Sequence, residues 1–495
     1  MSFPIRPSQT KIVATLGPAC ESPEMIRDMI LAGVDVFRLN AAHGTLDDHQ
    51  RRLQTVRQAE AELRRPVAVL LDLAGPKIRV GDILGGSLEC HANDVVRIVK
   101  SSTALQPGEL STTFPPILDD LEVGNRVLLA DGLIELKVIG KSPEAVECRV
   151  VQPGMVRSRQ GMHVPGARLC VRAMDETDFA AAEWAARNEI DFVGLSFVRT
   201  AEDIRELREH LRNHNSEAQI IAKIEKAEAL DCLAEIVSAA DGVMVARGDL
   251  GVETDIARLA VAQKQIVRAA KQHRRPVIVA TQMLDSMQHS PLPTRAEVTD
   301  VANAVLDGAD ACMLSGETAI GRFPLESVAM MHRIALAAEE YASFPRREVH
   351  RSDERKVFGG SDDSICESAA LHAGWIAAEL NAKLLIVATH SGKTALRISK
   401  HRFGVPTVGV SANPTALRRM ALYWGIIPLP QAPAAESDQL LRFVVQWGLK
   451  EKLLHAGDLV VTIHGTGFPG TTHNGILVQR VNDSNPVQDL EESRA

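Results

Sequence analysis

Eight short apolar runs, each followed by a helical interval, limit what this chain can become. They are TKIVATLG (10–17), VDVFRLN (34–40), VAVLLDLAG (67–75), DFVGLSFV (191–198), QIIAKIE (219–225), GVMVARGDL (242–250), PVIVATQM (276–283) and ACMLSGE (311–317). Nearly continuous Val, Ile, Leu and Ala over such lengths reads as parallel strands buried on both faces. Intervals such as PEMIRDMILAG and DIRELREHLRNH carry the apolar stripe of a covering helix. Eight βα units in series predict an α/β fold, a closed (β/α)8 TIM barrel rather than an open sheet.

One interval breaks the rhythm. Between the third and fourth runs lie roughly a hundred residues, far beyond a βα connection. Alternating stretches such as VVRIVK, RVLLADGLIELKVIG and AVECRVV predict an inserted all-β domain over residues 77–172. Set at the strand C-termini, it would act as a lid that excludes water. The barrel then spans 1–76 and 173–343, resuming with a helix at Asp175. A polar linker follows (344–363), then a second α/β domain (364–482) and a polar tail (483–495) expected to be disordered.

At 495 residues the chain is too long for one hydrophobic core. A net charge of -8 argues against general nucleic-acid affinity, which needs a basic face. The seven cysteines form no CxxC pair, which fits reduced thiols in a cytoplasmic protein. The start lacks the apolar core of a signal peptide, and no run reaches membrane-spanning length.

Polar residues gather near the strand ends: Arg38 and Asn40, Asp72, Ser196, Lys223 and Glu225, Arg247 and Asp249, Thr281 and Gln282, Ser315 and Glu317. In this barrel the active site lies at the C-terminal face. Residues two apart in a strand share a face, so Lys223 with Glu225, and Arg247 with Asp249, are expected as cation–carboxylate pairs. Two carboxylates with two cations suit a divalent metal holding an anionic substrate. Two further loops carry weaker signals. Ser391-Gly392-Lys393-Thr394 ends like a phosphate loop, yet Val387 holds the leading glycine position. GTGFPG (465–470) matches a dinucleotide pattern, but the strand-like GILVQRV that follows supplies no helix.

The segments TKIVATLGPA, FRLN with His43, LDLAGPKIR, AKIE, MVARGDLGVE, ATQMLDSM and PTRAEVTDVANAVLDGADACMLSGETA resemble, in order, the signatures of the pyruvate kinases. The resemblance covers nearly the whole chain. It implies phosphoryl transfer from phosphoenolpyruvate to ADP, giving pyruvate and ATP, the last step of glycolysis. It implies Glu225 and Asp249 as ligands of Mg2+, Lys223 and Arg38 on the phosphoryl group, and Thr281 near the enolate carbon, sharing its protonation with water or a coupled group. It implies backbone N–H groups of Gly248 and Asp249 on the substrate carboxylate, and Asn40, His43 and Arg79 on the nucleotide phosphates. Arg247, with no matching role, is read as orienting its neighbours. The C-terminal domain would be regulatory, with Thr389, Ser391, Gly392, Lys393 and Thr394 taking a phosphorylated sugar or nucleotide monophosphate under the 464–470 loop. A homotetramer is implied as well.

Four positions depart from the family pattern. Of the four oxygen ligands of the family's monovalent-cation site, Asn40 and Asp72 remain, but Ala42 and Leu73 replace the serine and threonine. Lys77 stands where potassium-dependent members carry Glu, and its ammonium is expected to substitute for K+. In the lid, Gln160 replaces a nucleotide-binding lysine, and neighbouring Arg159 is the candidate to reach the phosphates instead. Two other readings stay open from the residues: a Mg2+-dependent lyase or aldolase acting on pyruvate enolates, and a paralogue that has lost activity.

Overall fold

The computed structural model describes residues 8–101, 103–104, 106–167, 172–342, 362–433, 437–465 and 473–482. The expected linker, apart from its last two residues, the expected tail and most of GTGFPG fall outside the described residues.

Three barrel strands come first: β1 (Lys11–Thr15), β2 (Val36–Asn40) and β3 (Ala68–Asp72). The insertion supplies eight: β4 (Ser87–Cys90), β5 (Val95–Val99), β6 (Glu109–Ser111), β7 (Arg126–Leu129), β8 (Ile134–Lys141), β9 (Ala145–Gln152), β10 (Gly154–Arg157) and β11 (Met162–His163). Five more barrel strands follow: β12 (Phe192–Leu195), β13 (Gln219–Ile224), β14 (Gly242–Ala246), β15 (Val277–Ala280) and β16 (Ala311–Leu314). The C-terminal domain contributes β17 (Leu384–Ala388), β18 (Thr407–Val410), β19 (Ile426–Leu429), β20 (Leu459–Gly465) and β21 (His473–Arg480).

The eight barrel strands close in the order β1-β16-β15-β14-β13-β12-β3-β2. Their residues are almost all buried, as continuous apolar runs require when helices cover one face and the barrel interior the other. The helices start where side chains satisfy free N–H groups: Ser22 caps Pro23–Ala32, Asp175 caps Glu176–Arg187, and Thr294 with Glu297 forms a capping box on Arg295–Asp307.

The sixth run ends sooner than its sequence suggested. Strand β14 stops at Ala246, and Arg247–Glu253 is a helix. Two residues along a helix diverge by about 200°, so Arg247 and Asp249 are not a same-face pair. Arg247 instead reaches Gln263 Oε1 at 3.5 Å. Strand β13 likewise ends at Ile224, but Glu225 still meets Lys223.

The chain divides into two compact units. One holds 1–71, 189–192 and 270–495, the other 72–188 and 193–269. In the second unit, six insertion strands pair in the order β11-β7-β8-β9-β5-β6, and β10 pairs with β4. Burial alternates along β5, β8 and β9, so one face feeds a core of Val96, Ile98, Leu136, Val138, Val146 and Cys148. In the first unit, the C-terminal sheet runs β19-β18-β17-β20-β21, parallel except for β21.

The first unit also bolts the C-terminal domain to the residues that lead into barrel strands. Asp310, just before β16, accepts from Lys400 at 2.6 Å and Arg402 at 3.1 Å. Arg402 stacks its guanidinium 4.4 Å from the Trp424 ring centroid. Asp191, just before β12, takes Arg57 at 2.8 Å and Arg418 at 2.7 Å. Among the described residues no helix is long and apolar enough to cross a membrane. The six described cysteines are free thiols, five of them buried. Burial pushes Cys148 up to about 12.

Candidate active site

The site of the second unit is built around one ammonium. Lys223, near the end of β13, is 9% exposed. Its Nζ donates to Ser196 Oγ at 2.6 Å and pairs with Asp72 Oδ1 and Glu225 Oε1, each at 3.0 Å. Three N–H groups thus meet three acceptors drawn from β3 and from the residues that follow β12 and β13. Ser196 passes its own proton to Leu73 O at 2.7 Å. The lysine is thereby fixed as a positioned point charge.

Glu225 is 1% exposed and its other oxygen accepts the Phe197 N–H at 2.7 Å. Phe197 holds φ at +54°, which turns that N–H toward the carboxylate. Beside it, Gly75 has φ +66°, and a Cβ there would fall 2.7 Å from the Phe197 ring. Only glycine fits. Burial raises the Glu225 carboxyl above its ordinary range; Lys223 opposes this and Asp249 adds to it. Two carboxylates close enough to destabilise each other's charge are what a dication relieves. No group of three or more His, Cys, Asp or Glu is placed to hold a metal among the described residues. Two carboxylates, with water and substrate oxygens completing the shell, is the manner in which Mg2+ binds, so the residues present fit it.

A cavity of about 480 Å³ opens from this cluster. Asp249, Lys226, Phe197 and Arg199 line it together with Lys77, Arg79, Gln160 and His163. Arg79, expected on the nucleotide phosphates, is thus part of the cavity wall. Lys77 lines the same cavity, but its side chain is exposed and forms no ion pair among the described residues; the ammonium on Asp72 is that of Lys223. Arg159 lines the cavity too, and its guanidinium pairs with Asp82 at 3.1 and 3.0 Å in an exposed ion pair. Gln160 closes its own turn by accepting the Arg157 N–H at 2.8 Å.

The first unit carries the other expected residues. Arg38, on β2, donates to Thr15 Oγ1 at 3.1 Å. Asn40 ends β2 and accepts the Ala42 N–H at 3.2 Å, and His43 is exposed in the same turn. Thr281 follows β15 with φ +70°, and Gln282 follows it at +52°. A β-branched residue in the left-handed region costs about 1–3 kcal/mol and is found mainly at functional sites. The Thr281 hydroxyl donates to Ala280 O at 2.6 Å. Glu317, expected as a polar strand end, is structural: it accepts the Leu284 N–H at 3.0 Å and the Ser315 N–H at 2.7 Å, pinning the loop that follows Thr281. Thr389 Oγ1 accepts the Gly392 N–H at 3.2 Å, and Gly392, at φ +82°, opens the helix Lys393–His401.

Comparison with known proteins decides what this scaffold is. Residues 7–328 match the family described as "Pyruvate kinase, barrel domain", and residues 364–478 match "Pyruvate kinase, alpha/beta domain". The pyruvate kinase of Sporosarcina psychrophila is 39% identical over 470 residues, covering 94% of this chain and 79% of the relative. That of Geobacillus stearothermophilus is also 39% identical over 470 residues, with the same coverage. The Staphylococcus aureus enzyme (strain USA300) is 37% identical over 469 residues, covering 94% of this chain and 79% of the relative. The chain belongs to the pyruvate kinase family. It is a phosphotransferase whose substrates and products are phosphoenolpyruvate, ADP, ATP and pyruvate, and the family's chemistry depends on a divalent metal.

Sequence reasoning noted Ser196 as polar without giving it a task; in this pyruvate kinase fold it is the hydroxyl that anchors Lys223. It missed Phe197, Lys226, His163 and Glu253 altogether. Glu253 Oε1 takes both the Lys226 ammonium and, at 3.3 Å, His163 Nδ1. Burial pushes the Glu253 carboxyl up, but those two partners outweigh it and hold it below its ordinary value. The only signal was the charge of Lys226 and Glu253 beside recognised motifs, and their pairing is a tertiary contact.

Proposed function

We propose that the chain performs Mg2+-dependent phosphoryl transfer from phosphoenolpyruvate to ADP at the barrel's strand ends, without requiring K+. The observation that carries this is the buried Lys223 ammonium held against Glu225 and Asp72. In a closed parallel barrel the strand C-termini share one rim, and Arg38 and Thr281 stand at such ends.

Glu225 and Asp249 would hold the metal, which when bound would supply Lewis-acid charge to substrate oxygens. Lys223 stabilises negative charge on the phosphoryl group in flight, and Arg38 grips the same group as a planar fork. The N–H groups of Gly248 and Asp249 take the substrate carboxylate. Thr281, already strained into position, steers the proton that reaches the enolate carbon. A threonine is too weak an acid to act alone, so water or a coupled group shares the step. Asn40, His43 and Arg79 bind nucleotide phosphates.

Ala42 and the buried Leu73 offer no side-chain oxygen to a monovalent cation. Lys223 already places an ammonium on Asp72, and Lys77 adds positive charge to the adjoining cavity. Replacing K+ by a bulky tetraalkylammonium in a coupled assay of ADP-dependent pyruvate formation leaves the rate within about twofold on this reading. A large loss of rate refutes it. Thr389, Ser391, Gly392, Lys393 and Thr394, at the turn from β17 into a helix, are the proposed effector loop for a phosphorylated metabolite, in a cytoplasmic homotetramer.

A further inference from the structure

We infer that Lys226 is a direct contact to the diphosphate of the nucleotide and that Glu253 is its positioning residue; this rests on the active-site reading above. Lys226 follows Glu225 directly, and its side chain is 14% exposed. It lines the same cavity as Asp249 and Arg79. Its ammonium lies 5.9 Å from the Phe197 ring centroid, so its stem is confined between an aromatic face and a carboxylate. Among the described residues Glu253 is its one hydrogen-bond partner. An ammonium carries three donors, so two remain to face the cavity.

The neighbouring cations narrow the choice. Arg159 is held at the exposed rim by its ion pair with Asp82, and Gln160 is neutral and closes its own turn. Lys223 is surrounded by Ser196, Asp72 and Glu225. Lys226 is thus a half-buried, oriented ammonium with donors to spare, beside the expected metal carboxylate. The wall of Ile78, Leu133, Met162 and Val164 gives apolar surface for a base and ribose, and the volume is in the range of small-molecule sites. Because His163 shares the Glu253 oxygen, the inserted domain and Lys226, the second residue past β13, converge on one carboxylate.

The test compares the parent enzyme with Lys226→Met, Lys226→Arg and Glu253→Gln. Steady-state kinetics and calorimetric titration of ADP in Mg2+ are the readouts, with thermal melts to confirm folding. A charge-assisted hydrogen bond lost from the nucleotide weakens ADP by about tenfold to hundredfold. Lys226→Met should therefore raise KM and Kd for ADP by that factor, with KM for phosphoenolpyruvate within about threefold. Lys226→Arg should restore most of the affinity, and Glu253→Gln should weaken ADP less than Lys226→Met. Unchanged ADP affinity in a folded Lys226→Met, or equal losses for both substrates, overturns the inference. Should Lys226→Met not fold, Lys226→Gln carries the same comparison. A parent enzyme that forms no pyruvate from ADP and phosphoenolpyruvate would instead overturn the active-site reading.

Discussion

Ser196→Ala isolates the geometry of Lys223 from its charge. Ser196 is 1% exposed, accepts from Lys223 at 2.6 Å, and anchors itself on Leu73 O at 2.7 Å. Removing the hydroxyl leaves one ammonium donor without its acceptor in a site where the lysine is 9% exposed. A hydrogen bond to a charged group contributes about 1.5–3 kcal/mol net. If that energy holds the ammonium on the phosphoryl path, its loss lowers kcat by about tenfold to hundredfold, since 1.36 kcal/mol is tenfold in rate. Phosphoenolpyruvate binding relies on other groups as well, so its KM should move by less than about threefold. Stability in urea should fall by about 1–3 kcal/mol, because the Leu73 carbonyl also loses its donor. The assay is coupled pyruvate formation at saturating ADP and Mg2+, beside urea melts. A variant with the expected stability loss but unchanged kcat refutes the reasoning, for then the hydroxyl only holds β3 to the residue after β12.

Much of this was legible in the sequence, and the rest was hidden for definable reasons. Buried parallel strands need continuous apolar runs, so the barrel and its order could be read from the eight runs alone. Lys223 and Glu225 were found because their spacing survives the strand end. Arg247 and Asp249 were misassigned because Gly242–Ala246 and Arg247–Glu253 join without a punctuating turn residue, and the change from strand to helix leaves no periodic mark in seven residues. The pair of Arg159 with Asp82 could not be read from the sequence because the two lie 77 positions apart. The Glu253–Lys226–His163 cluster is invisible for the same reason. Strain is also silent: nothing in ATQM announces φ +70° at Thr281.

Two further outcomes follow from the electrostatics. Asp310→Asn removes the carboxylate shared by the buried Lys400 and the half-buried Arg402; leaving a buried cation unpaired costs about 3–5 kcal/mol, so stability in urea should drop sharply, and a loss under about 1 kcal/mol would contradict the bolting role. Glu253 titrates below its ordinary value in the folded state, so its contribution is fully present above the unfolded pKa and disappears as pH falls through the folded one; Glu253→Gln should therefore flatten the loss of stability as pH falls below the ordinary glutamate range, and an unchanged acid limb in urea melts would refute the tie to His163 and Lys226.

The most direct test of the account is the rate of ADP-dependent pyruvate formation as a function of Mg2+ in the parent, Glu225→Gln and Asp249→Asn. The account predicts no turnover in chelator and a saturable rise with Mg2+ in the parent. Each variant, folded by circular dichroism, should lose about a hundredfold or more in rate at any Mg2+ concentration, in line with several kcal/mol of charge stabilisation. Parent turnover that persists in chelator, or variants that match the parent's Mg2+ curve, would contradict the assignment of these two carboxylates.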